Sequence, residues 1–166
     1  MSIENLDKTE ALKKMRELVE DIDFCMMLTN LKSLPISAIP MSTKKVDEAG
    51  NIWFLSGKTS EHNANIAADS KTQLLYSENS DMEFISIYGS ATIHTNKEII
   101  EDLYSKSDDA WFDNENDPNI TAIKFEPSEA YYWDTKQNKY IALFKKGLAT
   151  LTGDKVDVGE KGKLNL

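Results

Sequence analysis

A chain of 166 residues, 40% hydrophobic and 28% charged, has the proportions of one globular domain that buries its core without disulfides or structural metals. Its net charge of −9 repels polyanions, and no lysine-rich stripe interleaved with aromatics offsets it, so nucleic acid is not an expected partner. No apolar run approaches the roughly 20 residues a membrane helix needs, and MSIENLDKTE lacks the basic start and apolar stretch of a secretory signal; no membrane association and a cytoplasmic location are expected.

From Asp7 to Asp21 the apolar residues Ala11, Leu12, Met15, Leu18, Val19 and Ile22 recur at three- and four-residue steps, which predicts an amphipathic helix capped by Asp7. Strands are expected at 23–29, 36–45 and, after the turn signal Ala49-Gly50-Asn51, at 51–56, together resembling a β-meander. Ser60 can cap a short helix reaching Ala68. Strands at 72–77 and 82–95 follow, the second placing Ile85, Ile87, Gly89, Ala91 and Ile93 on one face. Thr95-Asn96-Lys97-Glu98 reads as a capping box opening a helix that ends near Ser107. A last long strand is expected at 120–135, kinked at Pro127, then a helix over 140–151 and a mobile Gly- and Lys-rich tail. Short sequential strands with helices at their corners favour an antiparallel sheet closing into a barrel, an α+β protein that is mainly β.

The chemistry legible without a family is sparse. No glycine-rich nucleotide loop, zincin motif or hydrolase elbow occurs. Cys25 is the sole cysteine and sits in an apolar run, as a small buried hydrophobe does. His62 and His94 are too few for a histidine-rich metal site, and no metal is expected. Arg16 is the sole arginine, so bidentate clamping of a phosphate is almost closed to this chain. What remains is an aromatic inventory, Trp53-Phe54, Trp111-Phe112 and Tyr131-Tyr132-Trp133, suited to core packing, a flat ligand or a subunit interface.

The order of several weak motifs is more specific than any one of them: Pro40-Met41, the Gly50 turn into Trp53-Phe54-Leu55-Ser56, Ser60 three residues after Gly57, Tyr88-Gly89-Ser90-Ala91, Trp111-Phe112, Asp117-Pro118 and Tyr132-Trp133-Asp134. In that order the chain resembles the general stress protein branch of the pyridoxamine-phosphate-oxidase-like, FMN-binding split-barrel superfamily. The resemblance implies a six-stranded split barrel over residues 1–153 with peripheral helices, a tail over 154–166, and a homodimer with two FMN sites across its interface. Pro40, Met41 and the strand Trp53-Phe54-Leu55-Ser56 would meet the flavin ring, with Ser56, Lys58, Ser60 and His62 at the phosphate and Trp111 and Trp133 supplied by the partner subunit.

Two departures bear on function. Ile39-Pro40-Met41 stands where relatives often carry Arg-Pro-Met, and Ser60-Glu61-His62 where they often carry Ser-x-Lys. Lys58 and His62 are the nearest replacement cations, with Lys44 and Lys45 in reserve. A C-terminal Arg and His segment that grips substrate in true pyridoxamine-phosphate oxidases is absent, so that activity is not expected. Two functions remain open: a flavin-dependent oxidoreductase or flavin carrier used under stress, or a non-catalytic dimeric ligand-binding protein that has weakened FMN binding. FAD, a deazaflavin or haem are alternative ligands within the superfamily. No side chain is singled out as a general acid or base.

Overall fold

The first helix, α1 (Lys8–Ile22), forms where the apolar spacing places it. The Asp7 carboxylate accepts from the Glu10 amide at 3.4 Å, and Ala11, Met15, Leu18 and Val19 form the buried stripe. Asp23 ends it at φ 64°, a left-handed conformation that short polar side chains tolerate, and returns its N–H to the Val19 carbonyl. These observations come from a computed structural model that describes residues 2–3, 5–134 and 160–166. The helix expected over 140–151 lies outside the described residues.

The strands are β1 (Ser2–Ile3), β2 (Phe24–Thr29), β3 (Ser37–Ser42), β4 (Lys45–Val46), β5 (Ile52–Gly57), β6 (Lys71–Glu78), β7 (Glu83–His94), β8 (Ile120–Asp134) and β9 (Glu160–Asn165), and the further helices are α2 (Glu61–Ala68) and α3 (Lys97–Leu103). Six of them form the expected barrel in the order β3, β2, β6, β7, β8, β5, every pair antiparallel. The two end strands, β3 and β5, approach each other without pairing, and that gap is the split. The early strands are therefore not a simple meander, because β5 crosses to β8 and β6 returns to β2. The segment expected as one strand over 36–45 divides into β3 and β4 around Thr43-Lys44, where the Thr43 and Lys44 amides turn to the Asp23 and Trp53 carbonyls.

Inside the barrel lie Met27, Phe54, Leu74, Ile85, Ile87, Ile123, Phe125 and Tyr132, all essentially sealed from solvent, with α1 packed over one end. A smaller cluster under α3 joins Ile100 and Leu103 to Ile120 and Ala122. The α3 cap is Asn96 rather than Thr95, its side chain accepting from the Glu98 amide at 2.8 Å, and the helix stops at Leu103. A separate 3₁₀ turn, Lys106–Ala110, follows it.

Strand β8 pairs with β7 along one edge and with two strands in succession along the other. Its first half pairs with β5 and its second with β9, and the change is made possible by a bulge: the β7 register steps from Tyr88↔Glu129 to Gly89↔Pro127, leaving Ser128 over to bond the Tyr88 carbonyl. This is the bend expected at Pro127. A Cβ on Gly89 would collide with the Glu126 carbonyl oxygen and lie 2.8 Å from the Phe125 ring. Gly89→Ala is therefore expected to destabilise the fold by about 3 kcal/mol, read as a lowered denaturation midpoint.

The tail expected to be mobile from residue 154 includes an ordered strand at its far end. In β9, Glu160 and Leu164 are buried while Lys163 and Asn165 face solvent, a period-two alternation that the lysine-rich composition concealed. Lys14 of α1 pairs with Asp134 and lies 3.8 Å from Glu160, tying the helix to this sheet extension. Among the described residues no helix is long and apolar enough to cross a membrane.

Candidate functional site

The split between β3 and β5 opens into a cleft of about 510 Å³. Ile39, Pro40 and Met41 of β3 and Leu55, Ser56 and Gly57 of β5 form facing walls, His62 closes one corner, and the segment following α3 brings Asp108, Trp111 and Phe112 to the rim. Among the described residues nothing pairs with the cleft-side backbone edge of β5 beyond Trp53. The Trp53 carbonyl accepts from the Lys44 amide on the side away from β8, and the alternation of an antiparallel ladder turns the Leu55 N–H and C=O the same way, toward the unpaired split. A strand edge of this kind offers one donor and one acceptor to a planar amide-like heterocycle.

At the corner near α2, three side chains form a hydrogen-bond circuit closed through the Ser56 carbonyl. Ser56 Oγ donates to Asn63 Oδ1 at 2.9 Å, Asn63 Nδ2 donates to Thr121 Oγ1 at 2.8 Å, and Thr121 Oγ1 donates to the Ser56 carbonyl at 3.1 Å. Since the single proton of Ser56 is committed to Asn63, the short contact between Ser56 Oγ and His62 Nε2 requires the imidazole to be the donor. Ser60 Oγ lies 3.1 Å from the same nitrogen and 3.3 Å from Ser56 Oγ, and caps α2 by accepting from the Asn63 amide. The amides of Glu61 and His62 then have no acceptor within the helix. Burial holds the His62 imidazole below its ordinary pKa of 6.5, with Glu61 opposing the shift. The corner thus presents the Ser60 hydroxyl and the first-turn amides at a helix N-terminus, with the His62 imidazole beside them, an arrangement suited to a phosphate.

The other charges of the cleft are already committed. Lys44 Nζ bonds both oxygens of Asp108, at 2.7 and 3.0 Å, and Ser105 Oγ at 3.1 Å, with only 12% and 13% of the two charged side chains exposed. Burial works against ionisation of Asp108, and the bonds from Lys44 and Ser105 outweigh it and hold its pKa below the usual value. Lys45 pairs with Asp102 at 2.7 Å, outside the cleft. Arg16 is structural: its guanidinium donates to the Val46 and Asp47 carbonyls at 2.7 and 2.6 Å and holds α1 on the β4–β5 turn.

Of the residues expected at the site, the cleft gathers Pro40, Met41, Leu55, Ser56, His62 and Trp111, with Ser60 bonded to its corner. Trp111 was expected from a partner, yet it lines its own chain's cleft, 82% exposed, because the Lys44–Asp108 pair draws this segment over the split. The Trp53 side chain points elsewhere: its indole donates to Asp47 at 2.9 Å and its ring lies 5.5 Å from that of His94, by a second hollow under α3. Phe54 is sealed in the barrel, so these two residues could offer a ligand only their main chain. Lys58 is exposed beyond the end of β5 and does not line the cleft. Trp133, its ring 4.7 Å from that of Tyr131, stands on the outer face of the sheet. The reading of the sequence missed Asn63, Thr121 and Asp108. Only the position of Asn63 on the first turn behind the Ser60 cap could have signalled any of them.

The fold is that of a split β-barrel with a cleft at its unpaired seam. The chain belongs to the pyridoxamine 5'-phosphate oxidase-like family, whose sequence pattern it matches over residues 10–157. Among solved structures it is similar to one described as a general stress protein 26 from Jannaschia sp. CCS1 (TM-score 0.79, 23% identity, 95% of this chain and 99% of that one). It is also similar to the general stress FMN/FAD binding protein of Xanthomonas citri (0.67, 21%, 79% and 93%) and to a protein related to general stress protein 26 from Clostridium acetobutylicum (0.65, 21%, 78% and 92%). At these identities the likeness establishes the shared fold. No curated protein matches the chain.

Proposed function

We propose that this chain binds FMN in the β3–β5 cleft as a homodimer and acts as a flavin-dependent oxidoreductase or flavin carrier. One observation carries the reading: a single cleft joins an open strand edge at Leu55, apolar walls, and a polar corner at Ser56, Ser60 and His62. The ring system would lie along β5 and the phosphate would sit at the N-terminus of α2, and bound FMN would supply the redox chemistry. Family membership and the FMN/FAD-binding Xanthomonas citri protein of the same fold support this choice of ligand.

The homodimer is supported by the outer sheet face that borders the cleft. Phe24 and Met26 of β2, Leu75 of β6, Phe84 of β7 and Trp133 of β8 follow one another across the strands on that side, with Phe24 61% exposed. An apolar patch of this continuity is the mark of a protein interface, and Phe24 belongs to both the face and the cleft. Trp133 of a second copy would reach the site from this face.

The reading is tested by titrating the purified chain with FMN and with riboflavin, following flavin fluorescence. Because the phosphate would account for a large share of binding, riboflavin is expected to bind at least about 30-fold more weakly. A second reading, a dimeric ligand-binding protein that no longer holds FMN firmly, is favoured by Ile39 in the cleft wall and by the commitment of Lys44 to Asp108. A colourless protein that ignores added FMN would decide for that alternative.

A further inference from the structure

Beyond its phosphate corner the cleft carries no net charge among the described residues, although a lysine lines it. Among the described residues Lys44 is the only lysine or arginine in the lining, and Asp108 binds it with both carboxylate oxygens. The pair is nearly buried, which makes each charge costly to leave alone and keeps the two together. Around it the lining is apolar, with Phe24, Ile39, Met41, Leu55 and Phe112. The other titratable side chain of the described lining, His62, is at the α2 corner, already bonded to Ser56 and Ser60.

We propose that the second ligand of this cleft, the one that meets the flavin, is an uncharged planar aromatic or quinone-like molecule, and that Asp108 is the residue that sets this preference by cancelling Lys44. The inference rests on the reading of the cleft as a flavin site. Its physical basis is a difference of affinities. An anionic ligand entering the apolar region loses its hydration and finds the local cation already satisfied, whereas an uncharged ring loses little and gains contact with the aliphatic and aromatic walls. Without Asp108, Lys44 would become an uncompensated cation facing the same space and would favour an anion. Asp108 therefore acts on the ligand through Lys44, as a specificity-determining residue.

The test measures binding by calorimetry at mildly acidic pH to the FMN-loaded and the FMN-free chain. The probes are menadione, an uncharged naphthoquinone, and naphthoquinone sulfonate, which carries a fixed negative charge on the same ring system. The wild-type chain is expected to prefer menadione by about tenfold, and Asp108→Asn, which keeps the shape of the side chain, to bring the two within about threefold or reverse the order. The double variant Lys44→Met/Asp108→Leu, which removes both charges, should restore the preference for menadione, and it keeps the test decisive if Asp108→Asn fails to fold. A wild-type chain that binds the sulfonate as tightly as menadione would overturn the proposal, as would a folded Asp108→Asn chain with an unchanged preference. Loading with FMN is read separately from flavin absorption. A chain that takes no flavin but discriminates between the probes sinks the flavin reading alone, and a flavin-loaded chain that does not discriminate sinks the charge filter alone.

Discussion

If the chain is the homodimer proposed, Met26→Glu and Leu75→Glu together are expected to make it elute as a folded monomer and bind FMN at least about tenfold more weakly than the wild-type chain. The two residues are direct neighbours across the β2–β6 pairing, and each is 40% exposed. Glutamate at either position meets water in the isolated chain, so the fold itself loses little. In a dimer built on this face, two carboxylates per subunit would be desolvated opposite Phe24, Phe84 and Trp133, at a cost of several kcal/mol. The loss of FMN affinity follows because the same face runs into the cleft at Phe24, so a missing partner leaves the site open on one side. Circular dichroism separates this outcome from unfolding. A double variant that remains dimeric, or a monomer that retains full affinity, would contradict the assignment of the interface.

FMN affinity should also fall as pH rises from about 6 to 8, by up to about tenfold, and His62→Ala should flatten the change. In the free chain His62 is held below its ordinary pKa, chiefly by burial, so it enters the encounter uncharged at neutral pH. A phosphate at the Ser56–Ser60 corner would favour the imidazolium and raise that pKa in the complex. Binding then takes up a proton between the two values, and affinity declines across that window as pH rises. The second ionisation of the FMN phosphate, near pH 6, works in the opposite direction and is common to wild type and variant, so the difference between their profiles isolates His62. Equilibrium titrations at constant ionic strength measure it, and identical profiles would remove His62 from the phosphate contact.

Much of the barrel was legible because its determinants are local. The three-and-four spacing of α1, the Ser60 cap and the alternation of β7 each predicted the element that forms. The kink at Pro127 was visible too, since proline cannot donate to a ladder. What escaped depended on distant partners. Pairing of β5 with β8 rather than β3 is a fact of topology, and β9 reads as a loose lysine-rich tail until its Leu164 is seen sealed in the core beside Ala130.

The site divided along the same line. Pro40, Met41, Leu55, Ser56, Ser60, His62 and Trp111 were named from motif order, and the cleft and its polar corner bring them together. The Trp53 and Phe54 side chains lie off the cleft on opposite faces of β5, Trp53 beside His94 and Phe54 inside the barrel, as successive residues of a strand do. The Lys44–Asp108 pair joins residues 64 apart, and the Asn63–Thr121 bond joins residues 58 apart. Nothing in either local sequence marks such a partner. Lys44 looked like a reserve cation for phosphate only while Asp108 was unseen.

The central claim is that the seam between β3 and β5 holds a flavin mononucleotide. A crystal structure of the chain grown with FMN tests it most directly. It should show the phosphate within hydrogen-bond distance of Ser60 Oγ and His62, the ring edge against the main chain of Leu55, and a second copy closing the cleft over Phe24. Flavin density in the hollow beside Trp53, or an empty seam at saturating FMN, would contradict it.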